Sequence, residues 1–306
     1  MSIRQILVLL TLLPAAVSAQ QDPMYSMYMF DKLLINPAFA GSSNWAVGTL
    51  KYRDHATGLA GNPNTQTFNF HTPLQKQHMG VGVKVIKDRM ALVNSLNAAL
   101  ALSYHLNFAG AKLSFGLEGS MMSRKISYQD LILNTRGDQN IPTTEVVART
   151  PDAAFGLYYQ KKQFYLGASC FNILQHYLYA PNSIMLQSPA HFNLLAGNVF
   201  QLKGDWTLEP SVLVKYRSVG EPQADVNLMV YYDDVIGAGI QYRSRDAVAA
   251  VFRLQIFQGL RLAYAFDKTI SSVSAFSRNS HEVILSYGWQ LLPPATKKTI
   301  HPRYYF

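Results

Sequence analysis

The sequence predicts an all-β protein, a transmembrane antiparallel β-barrel of about fourteen strands with long extracellular loops and short periplasmic turns. Apolar and polar residues alternate with a period of two from Trp45 to Leu291, as in strands with one apolar face. The connectors between these strands alternate between short and long, which is typical of a barrel whose two rims face different compartments. The chain is 49% hydrophobic and only 15% charged. It has no run of about 18 apolar residues that could form a spanning helix.

The first residues indicate an exported protein. Arg4 supplies a positive charge, Ile6–Leu13 is a short apolar run, and Val17-Ser18-Ala19 has the small residues of a cleavage site. We therefore expect residues 1–19 to be a signal peptide that is cleaved after Ala19. The alternative is an uncleaved anchor, but the apolar run is far shorter than the roughly 20 residues that a spanning helix needs.

The polar faces of the predicted strands carry charges of both signs and many glycines. Leu208 and Val212 fall on one face, for example, while Glu209 and Ser211 fall on the other. The charged residues that we expect to face the lumen are Lys84, Glu118, Glu209, Lys215, Arg217, Asp225, Arg243, Arg253, Arg261 and Glu282. They could form a salt-bridged scaffold that stiffens the barrel, or they could line a charged channel or a docking wall for a partner.

The connector lengths predict an orientation. Short turns such as Phe108-Ala109-Gly110 and Asp233-Asp234 follow even-numbered strands, whereas the long connectors Ser127–Pro151 and Gln175–Pro189 follow odd-numbered ones. With an even number of strands, both termini then lie on the short-turn rim, which is periplasmic in such barrels. There are three exceptions: the connector Thr72–His78 is longer than the other short turns, and the connectors near Met90 and Ser244 are short although they follow odd-numbered strands.

Two segments flank the predicted barrel, which covers residues 45–291. Residues 20–44 are too hydrophobic for a solvated linker, so we expect either a periplasmic segment on the rim or a plug. Met24–Leu34 could form two or three helical turns that end at Asn36-Pro37, because proline removes a backbone donor and restricts the preceding residue. Residues 292–306 are expected to be a basic periplasmic tail.

Both ends of the chain resemble a known family. The run QDPMYSMYMFDKLLINPAFAGS and the tail HPRYYF are similar to the ends of the PorP/SprF proteins of Bacteroidota, and SHEVILSYGW resembles their last strand. The residues that carry the N-terminal motif are Gln21, Asp22, Pro23, Asn36, Pro37, Ala38 and Gly41, and those of the C-terminal motif are Pro302, Arg303, Tyr304 and Phe306. One departure is the longer tail from Leu291 to Phe306.

The resemblance implies an outer-membrane barrel of the type IX secretion and gliding machinery. A protein of this kind binds, helps to export or anchors a large secreted surface protein, which would be adhesin-like and would contact the loops or the lumen. Periplasmic or peptidoglycan-associated secretion components and outer-membrane lipid are the other partners that it implies. The expected localisation is the cell outer membrane, with both termini periplasmic.

Other functions have less support in the residues. The chain has no phosphate-binding loop, GxSxG or HExxH motif, so we predict no catalytic, cofactor-binding or metal-binding residues. His281 and Glu282 are adjacent in a predicted strand and therefore fall on opposite faces. The formal charge is +9 without a clustered basic motif, which argues against nucleic-acid binding. A porin-like solute channel with a charged lumen is the main alternative function, and a barrel enzyme is the third.

Overall fold

The computed structural model describes residues 24–55, 57, 61–74, 78–127, 145–174, 177–179, 185–187, 189–217, 221–271 and 279–291. Almost all of these residues are in β-strands. In this part of the chain, no helix is long and apolar enough to cross a membrane.

In the described residues, seventeen strand segments follow one another along the chain, and every pairing between them is antiparallel. They are β1 (Trp45–Asp54), β2 (Asn64–Leu74), β3 (Met79–Met90), β4 (Val93–Phe108), β5 (Ala111–Ile126), β6 (Val146–Lys161), β7 (Phe164–Phe171), β8 (Tyr177–Tyr179), β9 (Met185–Gln187), β10 (His191–Asn198), β11 (Phe200–Gln201), β12 (Trp206–Arg217), β13 (Gln223–Tyr232), β14 (Ile236–Arg243), β15 (Ala247–Phe257), β16 (Leu260–Thr269) and β17 (Ser280–Gln290).

The main sheet closes into a barrel. The first strand, β1, pairs with the last, β17, from Trp45 opposite Gln290 to Asp54 opposite His281. The short segment β11 continues β10 along β12 in the same register, so the two fill one position. Segments β8 and β9 form a separate hairpin in the connector between β7 and β10. The protein is therefore a closed antiparallel barrel of 14 strands, which confirms the predicted fold class.

The two faces of each strand differ as the alternation predicts. Outward-facing residues are large and apolar, and Leu117 and Ile240 expose 65% and 63% of their surface. Aromatic rings cluster near the rims, where Trp206 packs against Tyr232 with 4.9 Å between ring centroids and 51° between ring planes. Such an apolar band with aromatic ends suits a lipid-facing surface. The inward faces carry buried charges, glycines and hydroxyl groups.

The two rims differ in their connectors. The short-turn rim is the end of the barrel that holds Trp45, Gln290 and tight turns such as Phe108–Ala111. The long-loop rim is the opposite end, which holds Asp54 and Ile126. At the short-turn rim, Ala109 and Gly110 have φ angles of 47° and 74°, the positive values that a tight hairpin turn requires.

Several connectors are shorter than the sequence suggested. The connector placed over Ser127–Pro151 is an example, because β6 already pairs with β5 from Val146, opposite Ile126. Likewise, β2 extends to Leu74, into the connector predicted over Thr72–His78. The strands are longer than predicted because backbone pairing continues beyond the residues that show clear alternation.

The described N-terminal residues, 24–44, do not form the predicted helical turns as one helix. They form three short 3-10 helices, Tyr28–Phe30, Lys32–Leu34 and Pro37–Phe39. The third begins with Pro37, and the side chain of Asn36 accepts a hydrogen bond of 2.9 Å from the Ala38 N–H. Separate turns leave many backbone groups free to bond with a surrounding wall.

Candidate functional site

The lumen of the barrel holds the N-terminal segment. We call residues 24–44 the plug. Met27, Ala38 and Ala40 are fully buried, and the apolar plug residues form one core cluster with inward-facing wall residues such as Leu195 and Leu213. A barrel of this size leaves more space than its own side chains can fill. The plug occupies that space, and each large apolar side chain that it buries contributes about 1.5–3 kcal/mol.

The plug runs from one rim to the other. Met24 lines a cavity together with Arg217 and Gln223, which are strand ends at the long-loop rim. At the other end, the carbonyl of Ser42 accepts a hydrogen bond of 2.6 Å from Lys112, close to the short-turn rim. The sequence predicted both termini at the short-turn rim. The two ends of the barrel itself lie there, but Met24 lies at the opposite rim because the plug crosses the lumen.

Near the long-loop rim, Ser26 is held by four charged side chains. Its backbone N–H donates to Glu282 at 2.7 Å, and its hydroxyl group donates to Asp267 at 2.5 Å. Arg53 and Arg243 each donate to the same hydroxyl oxygen at 2.9 Å. Arg53 also forms ion pairs of 2.7 Å with both acids. We call these five residues the Ser26 cluster, and its two positive and two negative side chains compensate each other in the buried site.

Further polar and charged side chains connect the plug to the barrel wall. Asp31 of the plug accepts a hydrogen bond of 2.7 Å from Asn69 and lies 3.5 Å from the Lys51 ammonium group. Lys32, also in the plug, lies over the ring of Tyr165 with 4.2 Å between its nitrogen and the ring centroid. The phenol of Tyr28 is 3.2 Å from the Ser211 hydroxyl. Polar contacts therefore hold the plug on several sides of the barrel.

The middle of the plug bonds directly to the backbone of the wall. Asn36 donates to the carbonyl groups of Leu157 and Ala168 at 2.8 Å and 3.3 Å. The carbonyl of the preceding residue, Ile35, accepts hydrogen bonds from Ser169 and Asn193. At the Asn36-Pro37 pair of the N-terminal motif, hydrogen bonds therefore connect the plug to strands β6, β7 and β10.

Glycines in the wall make room for the plug. A Cβ atom on Gly80 would collide with the backbone of Ala40, and one on Gly156 would collide with the side chain of Asn36. A Cβ on Gly116 would lie 2.5 Å from the Cα of Ala38. A distance of 2.5 Å between two carbon atoms is far below the separation of about 3.5–4.0 Å in an ordinary carbon contact. The plug backbone therefore lies against the wall backbone at Gly80 and Gly116, and a plug side chain lies against it at Gly156.

The predicted lumen charges all lie on the inner face. Lys84 pairs with Glu118 at 2.6 Å, and Lys215 pairs with Asp225 at 2.7 Å. The carboxylate of Glu209 accepts hydrogen bonds of 3.0 Å from two tyrosines, Tyr165 and Tyr231.

The remaining predicted charges have partners of several kinds. Arg253 lies over the Tyr231 ring at 4.9 Å, and Arg261 donates to Gln255 at 3.1 Å. Arg243 and Glu282 belong to the Ser26 cluster, and Arg217 is the last residue of β12. These contacts are those of a salt-bridged scaffold, one of the two roles predicted for the lumen charges.

A cavity of about 180 Å³ remains above the plug at the long-loop end. Its floor includes Tyr28 and Ile35 of the plug, and its wall includes Lys84, Glu118 and Leu213. Strand ends at the long-loop rim surround its upper part. We call this space the outer cavity.

Some residues named in the sequence-based predictions belong to the parts of the chain that the structure does not describe. Residues 1–19, the motif residues Gln21, Asp22 and Pro23, the tail 292–306 and its motif residues Pro302, Arg303, Tyr304 and Phe306 lie outside the described part of the chain.

Other plug-binding residues were absent from the prediction. Lys51 and Arg53 alternate with outward-facing Leu50 and Tyr52, so their period-two pattern could have identified them. Ser26 had no such signal, because the plug lacks a regular period.

Among the described residues, no group of three or more His, Cys, Asp or Glu side chains could hold a metal ion. His281 contacts the Tyr264 hydroxyl at 2.7 Å on the outer face, whereas Glu282 points to Ser26 in the lumen. In the loop that follows β1, burial lowers the pKa of His55 to about 4, with a further contribution from Arg53.

Comparison with known proteins adds to this geometry. The sequence matches a family described as "Type IX secretion system membrane protein PorP/SprF" over residues 17–287. The chain belongs to the PorP/SprF family. This confirms the resemblance that the end motifs carried, and it agrees with a barrel fold of the outer membrane. No curated protein matches the chain.

Solved structures support the fold of this PorP/SprF protein. The toluene transporter TbuX of Ralstonia pickettii is similar at a TM-score of 0.51 and 11% identity, covering 87% of this chain and 94% of its own. A FadL homologue of Pseudomonas aeruginosa is similar at a TM-score of 0.51 and 11% identity, covering 89% and 95%. At such low identity the likeness concerns the outer-membrane barrel fold and not the substrates of those proteins.

Proposed function

We propose that this PorP/SprF barrel binds a secreted surface protein and assists its export or holds it at the outer membrane, without enzymatic activity. The observation that carries the proposal is the plugged lumen in a member of a type IX secretion family. A lumen closed by a bonded plug suits a protein that presents a surface to a partner. In this proposal the long-loop rim faces outward, toward the secreted protein, and the short-turn rim faces the periplasmic secretion components.

The solute channel is the main rival, and the charged lumen is the feature that favours it. However, the plug buries large apolar side chains such as Met27, Tyr28 and Leu33. Removing it would expose all of them and break the Ser26 cluster, at a cost of many kcal/mol. Purified barrel in planar bilayers would show few or no stable openings if the plug stays in place. Frequent, long-lived conductance would favour the channel instead.

Affinity purification from the native outer membrane tests the proposed function directly. The barrel should retain a large exported protein, and deletion of the barrel should remove that protein from the cell surface. A matched strain that carries the wild-type barrel on a plasmid should restore it. If the barrel purifies alone and deletion changes no surface protein, the proposal is wrong.

A further inference from the structure

The outer cavity has the features of a binding site. It lies inside the lumen at the long-loop end, where strand ends such as Arg217 and Gln223 border it. Its floor is made by the plug, which hydrogen bonds hold to the wall on several sides. A pre-formed site of this kind binds a ligand without first paying the entropy of ordering its own residues.

The charges around the outer cavity favour an anionic ligand. Four of the described lining residues are cationic, namely Lys84, Arg124, Lys215 and Arg217, and two are acidic, namely Asp88 and Glu118. Because Lys84 is paired with Glu118 and Lys215 with Asp225, the excess of positive charge comes from the two arginines. A partly enclosed site with an excess of one sign attracts the opposite charge, because a surrounding wall of low dielectric strengthens the field.

Much of the remaining lining is apolar, although several uncharged polar side chains also border the cavity. Ile35, Phe171 and Leu213 are examples from the plug and from two separate strands. The volume of about 180 Å³ is near that of engineered apolar cavities of about 150 Å³ that bind benzene. The outer cavity can therefore accept one large apolar side chain and part of its neighbour, with a carboxylate near the cationic residues.

We infer that the outer cavity is a docking site for an acidic, partly apolar segment of the secreted polypeptide. This inference rests on the proposed function, and it specifies the chemistry of the segment that is recognised. Acidic side chains of the segment lie toward Arg217 and Arg124, and an apolar side chain enters between Leu213 and the plug.

Binding of defined peptides to the purified full-length barrel in phosphatidylcholine nanodiscs tests the inference. The probes are labelled octapeptides of alternating Leu and Glu, Leu and Gln, or Leu and Lys, followed by fluorescence anisotropy. The Glu peptide should bind most tightly, and added salt should weaken its binding because salt screens exposed charges. Equal affinity for the three peptides would overturn the inference. So would binding of decanoate without binding of the Glu peptide, since it indicates a site for small amphipathic acids.

Variants locate the site. Arg217→Glu should weaken binding of the Glu peptide at least about fivefold. The variant loses one attractive contact between partly exposed charges and gains a repulsive one. Lys203→Glu is the matched control, because it makes the same change of charge at an exposed turn of the short-turn rim. Ser95→Trp places a large ring in the outer cavity and should weaken binding of every peptide that enters it. Equal effects of Arg217→Glu and Lys203→Glu would refute the assigned location.

The same variants in cells separate this inference from the proposed function. Surface levels of the exported protein should fall in Arg217→Glu and Ser95→Trp cells and remain normal in Lys203→Glu cells, with folded barrel present in all three. If deletion of the barrel removes the surface protein but both cavity variants retain it, the proposed function stands and the docking site is refuted. If deletion has no effect, the proposed function fails, and the peptide measurements alone decide the binding site.

Discussion

Substitution of a single wall glycine should displace the plug without opening the barrel. Gly116 lies on the inner face of β5, directly against the plug backbone at Ala38. The Cβ of Gly116→Ala would lie 2.5 Å from the Ala38 Cα and closer still to other backbone atoms of Pro37 and Ala38. An ordinary carbon contact is about 3.5–4.0 Å, so the plug must move by about 1 Å or more.

The free-energy cost of Gly116→Ala depends on how easily the plug backbone can move away from the new methyl group. Added atoms in a packed core typically cost about 1–3 kcal/mol, and here the neighbour is backbone instead of a flexible side chain. Because about 1.4 kcal/mol corresponds to a factor of ten, local opening of the plug should become roughly 10- to 100-fold more frequent. The barrel strands should keep their protection, since their hydrogen bonds to one another are unaffected.

Hydrogen–deuterium exchange of the barrel in nanodiscs measures this opening. Plug peptides that cover residues 27–41 should exchange faster in Gly116→Ala. Gly119→Ala is the matched control, because Gly119 is in the same strand and a Cβ there meets no atom within 4 Å. Two results would contradict the reasoning: equal exchange of the plug in both variants, or faster exchange spread evenly over the whole barrel.

Three further predictions concern the plug and the rim. Ser26→Ala removes a hydroxyl that bonds three charged side chains, so exchange at the start of the plug should rise about tenfold or more, whereas the control Ser286→Ala should leave it unchanged. In a background without the native cysteine, Met24→Cys should react with an impermeant maleimide on intact cells and Leu291→Cys only after permeabilisation; the reverse pattern would contradict the proposed orientation. The pKa of His55 is about 4 and that of an unfolded histidine about 6.5, so His55 contributes stability above pH ~6.5 that is lost as the pH falls toward 4. His55→Gln should therefore flatten the fall in melting temperature between pH 7 and pH 4, and an unchanged slope would count against this assignment.

The barrel could be predicted because its signals are local. Each strand alternates between an apolar face and a polar face, and this period follows from strand geometry alone. Charges such as Glu209 and Arg253 were assigned to the lumen for the same reason, and the structure places them there. Strand ends are predicted less accurately because backbone pairing continues where apolar and polar residues no longer alternate in the sequence, as it does from Val146.

The plug could not be derived in the same way. Its residues form three short 3-10 helices, and its bonds go to wall residues far away in sequence. Ser26 contacts Glu282, which is 256 residues later in the chain. No periodic pattern marks such contacts, so the sequence is compatible with a segment packed on the rim and with one inside the barrel.

The barrel, its inner and outer faces, the difference between its two rims and the PorP/SprF resemblance could all be predicted from the amino-acid sequence. Period-two alternation, connector length and the end motifs are all properties of residues that are close in sequence. They can therefore be recognised without knowing which distant residues are in contact. The path of the plug across the lumen from the long-loop rim depends instead on contacts between residues that are far apart in sequence. Closing the sheet brings Arg53, Arg243 and Glu282 around one point, and a buried segment that satisfies these charges is more stable there than on the rim.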